Sequence, residues 1–160
     1  MKVLFVCSAN TCRSPMLEQM FRAYAFARDR KDIEVDSAGL IDTYSSKPDA
    51  LNPMCALVLE RHGVPYFIDR VAKTCDKNAV KSADLIYTMN DEQADYVANK
   101  LGGKKKVKSL SAFCGQPIAD PYGMSEEVYE NTYALFNGIL GKLFAEVTSA
   151  KKALNGYVRK

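Results

Sequence analysis

The chain has 160 residues, 48% of them hydrophobic and 26% charged, and a formal net charge of +3. That is the length of one domain able to bury its own core, and so mild and scattered a positive charge argues against a nucleic-acid partner. No apolar run approaches the roughly 20 residues that cross a bilayer, and "VLFV" behind Met1 and Lys2 is too short for a signal-peptide core, so no membrane partner is expected and a cytoplasmic location is.

The elements alternate along the chain. "KVLFV" (2–6) is a continuous apolar run, as in a strand buried on both faces. From Pro15 onward Leu17, Met20, Phe21 and Tyr24 recur at helical spacing to about Arg28. "IEVDSAG" (33–39) reads as a second strand. "DALNPMCALVLERHG" (49–63) reads as a helix closed by Gly63, and Pro53 places its start near Leu51. "ADLIYTM" (83–89) is another buried strand, "DEQADYVANKL" (91–101) a helix stopped by Gly102, and "KVKSL" (106–110) a last short strand. A loop rich in Gly and Pro follows (111–124). Ser125 is placed to cap a final helix whose first turn holds Glu126 and Glu127. Val128, Thr132, Leu135, Phe136, Ile139, Leu143 and Val147 mark one face of that helix. Residues 149–160 are weakly patterned and read as a tail that frays. Strands alternating with helices predict a single α/β domain over 1–160, with a doubly wound, four-stranded parallel sheet flanked by helices. Ligands of such sheets bind where strands give way to helices.

The stretch "CSANTCRSP" (7–15) occupies such a turn after the first strand. Ser14 followed by Pro15 reads as an N-cap and a first-position proline, so the preceding loop presents backbone N–H groups and a positive dipole end to an anion. Arg13 adds a planar fork that fits two oxygens of a phosphate. Cys7 opens the loop, and in a loop curled around the anion its sulfur lies beneath the phosphorus. The same N–H groups and Arg13 favour a thiolate there, and the Ser14 hydroxyl can hydrogen-bond it. The nucleotide-binding pattern GxxxxGK[ST] is absent. Phosphoryl transfer to a thiolate needs an acid for the leaving group. Asp120, in "ADPYG" (119–123), stands on the long loop at the same edge of the sheet, with Tyr122 as an aromatic wall. A buried structural cysteine, a surface arginine and an ordinary Asp-Pro turn are the bland readings of Cys7, Arg13 and Asp120 taken singly. Together, at this place in the fold, they read as one site. Five cysteines at irregular spacing read as free thiols in a reducing compartment. With His62 the only histidine and no CxxC, a metal site is not expected.

The order and spacing of "VCSANTCRSP", "DSAG" (36–39), "SADLIYTM" (82–89) and "DPYG" (120–123) resemble the low-molecular-weight protein tyrosine phosphatase family over nearly the whole chain. The resemblance implies hydrolysis of phosphotyrosine in proteins, or of small aryl phosphates, without metal or other cofactor, at a site that also takes phosphate or vanadate. It implies Cys7 as nucleophile, Arg13 as phosphate clamp and Asp120 as general acid and then base. It places Ser8, Ala9, Asn10, Thr11, Cys12 and Ser14 in the phosphate-binding loop, Ser37 in its support, and Tyr122 and Tyr44 on the walls of the substrate slot. Two positions depart from the family. Ala9 stands where glycine is usual, which implies strain if the backbone there is left-handed. The histidine that often supports the loop asparagine is missing, and Asp69 stands at the nearest aligned place. Cys12 matches a position where a second loop thiol can pair with the nucleophile. Thr11 resembles relatives that act on phosphoarginine, where tyrosine-specific ones carry a bulkier aliphatic residue. A related fold serves arsenate reduction, but that chemistry needs a nearby pair of further cysteines, and Cys75 and Cys114 are far apart in sequence.

Overall fold

The computed structural model describes residues 1–42 and 51–158, the side chains of 157 and 158 apart. Four parallel strands, β1 (Lys2–Cys7), β2 (Glu34–Gly39), β3 (Leu85–Thr88) and β4 (Val107–Ser109), lie in the order β2-β1-β3-β4. β1 is central and pairs along its length, from Lys2 with Glu34 to Cys7 with Gly39 on one side and from Val3 with Leu85 on the other. The order reverses at β1, so the loops leaving β1 and its neighbours open a crevice at their carboxyl ends.

Successive side chains of a strand face opposite sides of a sheet, and β1 uses both. Val3 and Phe5 join one core with Met16, Leu17, Met20, Phe21, Tyr87, Phe136 and Leu143. Leu4 and Val6 join the other, with Val80, Ile86 and Val97. This explains the unbroken apolar run that marks β1 in the sequence. The first core is covered by α1 (Arg13–Phe26), α2 (Pro53–Arg61) and α6 (Glu126–Val158), and the second by α3 (Lys77–Ser82) and α4 (Asp91–Lys100). Phe5 and Phe21 meet edge-on with ring centroids 5.6 Å apart, fixing α1 against the sheet. Among the described residues no helix is long and apolar enough to cross a membrane.

Some boundaries differ from the sequence reading. α2 begins at Pro53, and Asn52 caps it by accepting from the Met54 N–H at 2.9 Å. α3 is a six-residue helix with too few positions to show a period; Asp76 caps it through the Ala79 N–H at 2.8 Å. Residues 111–114, read as loop, form the short helix α5 (Ser111–Cys114). α6 continues through Val158 as 33 residues, where the pattern had predicted fraying. At 1.5 Å per residue that is about 50 Å. Lys151 ties this last stretch to Asp32, bonding its carbonyl at 3.2 Å and its carboxylate.

Candidate active site

The loop between β1 and α1 is shaped by two residues. Asn10 has φ 58°, in the left-handed region that asparagine tolerates better than most residues. Gly39, at the end of the neighbouring strand, lies directly behind the loop. A Cβ there would stand 2.8 Å from the Ala9 carbonyl carbon and 2.8 Å from the Ser8 oxygen. The strain expected at Ala9 is absent, because the left-handed residue is its neighbour Asn10. Nor is Ser14 the helix cap. α1 starts at Arg13 with Cys12 in the cap position and no side-chain cap, and its first bond runs from the Met16 N–H to the Cys12 carbonyl at 3.0 Å. Pro15 still sits in the first turn, where its missing N–H costs nothing, and the Ser14 hydroxyl is left for the cysteine.

Cys7 is buried at the end of β1. Its Sγ accepts from the Asn10 N–H at 3.3 Å and lies 3.0 Å from Ser14 Oγ. The neighbours settle which way that second bond runs. Asn10 Nδ2 donates to Ser14 Oγ at 2.9 Å and to Ser37 Oγ at 2.8 Å. Ser14 therefore has its proton free for the sulfur, the Ala38 carbonyl at 3.5 Å being the longer alternative. Ser37 in turn donates to Glu18 Oε2 at 2.5 Å. Two donors thus converge on Sγ.

The loop asparagine, left without the family's histidine, is supported by Arg70 and not by Asp69 at the nearest aligned place. Its Nη1 donates to the Asn10 carbonyl at 2.8 Å, and its Nη2 to Asn10 Oδ1 at 2.7 Å and Ser37 Oγ at 3.3 Å. The difference is one residue. The chain just beyond runs alongside Gly39, exchanging bonds with it through Lys73 and Cys75. Arg70 reaches the loop, while Asp69 lines an open polar cavity outside it with Glu18, Asp36 and Lys73.

Arg13 is buried, with Nη1 donating to the Ile118 carbonyl at 2.9 Å and Nη2 to Ser8 Oγ at 3.1 Å. Nη2 also lies 3.3 Å from Asp120 Oδ2. Ser8 is steadied by Gln93 of α4, whose Nε2 reaches its hydroxyl at 3.2 Å while Oε1 accepts the Met89 N–H at 3.0 Å. The carboxyl edge of β3 and α4 therefore helps aim the guanidinium, a role that nothing in the spacing of Gln93 signals.

Cys7, Ser8, Ala9, Thr11, Cys12, Arg13, Asp120 and Tyr122 line one cavity of about 110 Å³, with Ile41 added to the expected set. Asn10 and Ser14 lie behind the loop, fully buried, and shape it without forming the wall. Tyr44 lies outside the described residues. Cys12 shares the cavity, and its thiol is lowered to about 7 by the hydrogen bond from Cys55, then by the hydroxyls of Tyr129 and Thr11, against the opposing effect of burial. The same bond with Cys12, and then burial, push Cys55 far up. Cys75 and Cys114 pack in cores on opposite faces of the sheet and are not brought together as a pair. Among the described residues no group of three or more His, Cys, Asp or Glu is gathered as for a metal ion.

Comparison with known proteins agrees with this geometry. The family model for low molecular weight phosphotyrosine protein phosphatase matches residues 2–153. The chain is 32% identical over 147 residues to low molecular weight protein-tyrosine-phosphatase PtpB of Staphylococcus haemolyticus, covering 89% of this chain and 97% of that one. It is 27% identical over 158 residues to the protein-arginine-phosphatase of Bacillus subtilis, covering 95% of this chain and all of the other. The crystal structure of a low molecular weight protein tyrosine phosphatase from T. tengcongensis superimposes with a TM-score of 0.82 at 33% identity, over 91% of this chain and 99% of that one.

Proposed function

Because this chain belongs to the low molecular weight protein tyrosine phosphatase family, we propose that it hydrolyses phosphotyrosine in proteins through a phosphocysteine formed on Cys7. The observation that carries the reading is one small cavity with the Cys7 thiol at its base and the Arg13 guanidinium and Asp120 carboxylate beside it. A phosphate entering the cavity exchanges the Asp120 contact of Arg13 for two of its own oxygens, a bidentate grip that a guanidinium fork favours. Backbone N–H groups of the loop and the start of α1 take the remaining negative charge. The reacting form carries Cys7 as the thiolate and Asp120 as the carboxylic acid; Cys7 Sγ attacks phosphorus in line as the bond to the phenolic oxygen breaks, and Asp120 gives its proton to that oxygen and becomes the carboxylate. In the second step Asp120 takes a proton from water, the water oxygen attacks phosphorus, and the phosphocysteine bond breaks to return the thiolate and free inorganic phosphate.

Thr11 favours a second reading, phosphoarginine hydrolysis. It lies on the cavity wall, and the arginine phosphatase of Bacillus subtilis is similar to this chain over its whole length. Its hydroxyl can bond a guanidinium, where an aliphatic side chain would press on a phenol ring. The test is turnover of phosphotyrosine and phosphoarginine peptides side by side, with Cys7→Ser as control. Faster turnover of phosphotyrosine is expected, abolished by Cys7→Ser while vanadate still binds. Substantial activity in Cys7→Ser would remove the covalent mechanism, and a marked preference for phosphoarginine would replace the substrate.

A further inference from the structure

Asn10 uses every hydrogen-bonding group it has. Its N–H goes to Cys7 Sγ, its Nδ2 to Ser14 and Ser37, and its Oδ1 accepts from Arg70 Nη2 and from the Lys73 N–H at 3.0 Å. Its carbonyl accepts from Arg70 Nη1. Arg70 therefore grips the backbone and the side chain of one left-handed residue with one planar fork, which a point charge could not do. With two donors on Oδ1 the amide cannot reverse, so its NH₂ end stays on Ser14 and the Ser14 proton stays on the sulfur.

We propose that Arg70 is a positioning residue of the phosphatase reaction, holding Asn10 so that the loop's two donors stay aimed at Cys7 Sγ, and that it does this with a charge that does not titrate in the working pH range. The proposal rests on the phosphatase reading above. An imidazole in this place would lose its charge and one donor as pH rises through about 6.5, whereas a guanidinium keeps its charge and its fork. The charged and titratable groups facing Arg70 are Glu18 and Arg22 of α1, Cys7 of β1 and Asp36 of β2, with Asp69 and Lys73 from its own segment. Burial draws Arg70 below the ordinary arginine value, and the negative neighbours Glu18, Cys7 and Asp36 oppose that.

The experiment measures turnover of p-nitrophenyl phosphate by the wild type and by Arg70→Met, Arg70→Lys and Arg70→His, from about pH 5 to 8, the range in which an imidazole titrates. Thermal unfolding and vanadate affinity are measured on each protein. Arg70→Met is expected to lose on the order of tenfold to a hundredfold in kcat, as a displaced catalytic loop does, with KM changing far less. Arg70→Lys should restore only part of it, because an ammonium lacks the fork. In Arg70→His, kcat should show a fall as pH rises through about 6.5 beyond whatever fall the wild type shows over the same range. Unchanged kcat in Arg70→Met with only a lower melting temperature, or an Arg70→His profile that superimposes on the wild type, overturns the proposal. If Arg70→Met does not fold, the Arg70→His profile set against the wild type's decides alone, since the shape of a profile does not depend on the amount of folded protein. A wild type that turns nothing over overturns the phosphatase reading and this proposal together; an active wild type with unaltered variants overturns only this one.

Discussion

Replacing Asp120 by asparagine removes the proton donor proposed above while keeping the shape of the side chain. Among the described residues Asp120 accepts the Tyr122 N–H on Oδ1 at 3.2 Å and pairs with Arg13 Nη2 at 3.3 Å. The ion pair is a weak anchor, since the Asp120 side chain is 48% exposed and exposed pairs contribute about 0–1 kcal/mol. Arg13 also keeps its bonds to Ile118 and Ser8 without it. Misplacing the clamp therefore accounts for about fivefold at most, because 1.36 kcal/mol is a factor of ten. Losing the acid is a larger effect. A phenol has a pKa of about 10, so phenolate leaves slowly unprotonated, and a placed acid is worth about 10²–10⁴-fold, or roughly 3–5 kcal/mol by the same conversion. The assay is pre-steady-state release of the phenol from a phosphotyrosine peptide and from 2,4-dinitrophenyl phosphate, whose leaving group needs no proton. Asp120→Asn should lose about 10²-fold or more on the first and little on the second. Equal losses on both would show that Asp120 only shapes the loop.

Thr11→Ile should leave phosphotyrosine turnover unchanged or raised and depress phosphoarginine turnover; a parallel fall in both rates would reduce Thr11 to packing. Mild peroxide should inactivate the protein reversibly by linking Cys7 and Cys12, which line the same cavity, because a second thiol traps the sulfenic acid before further oxidation. Mass spectrometry should find the 7–12 link, and Cys12→Ser should make inactivation irreversible; recovery with thiol as full as the wild type's would refute the protection. Gly39→Ala puts a methyl group against the backbone of Ser8, Ala9 and Asn10, so it should cost about 1–3 kcal/mol as overpacking does and weaken vanadate binding; a thermal melt and a binding titration that both match the wild type would show that the loop yields freely.

The sequence alone carried the parts of this protein that are written locally. Two-faced burial makes β1 an unbroken apolar run, and the strand–helix alternation follows from hydrophobic period, so the doubly wound sheet was legible. Cys7, Arg13 and the loop between them lie within seven consecutive residues, and their types state their chemistry. Asp120 and Tyr122 were legible because a carboxylate on the long loop after the last strand reaches the same edge. What the sequence left open lies far along the chain. Arg70 stands 60 positions from Asn10, and an assignment displaced by one residue selected Asp69, which lines the cavity outside the loop. Glu18 and Gln93 carry no motif; each matters through one hydrogen bond that exists only once α1 and α4 are packed beside the loop. The backbone of the loop was likewise decided by tertiary contact: Asn10 takes the left-handed turn because Arg70, Lys73, Ser14 and Ser37 together satisfy its polar groups, and Ala9 is spared it. Local pattern specifies which groups can do the chemistry, but the direction in which a hydroxyl proton or an amide points depends on every donor and acceptor around it, and those come together only in the folded chain.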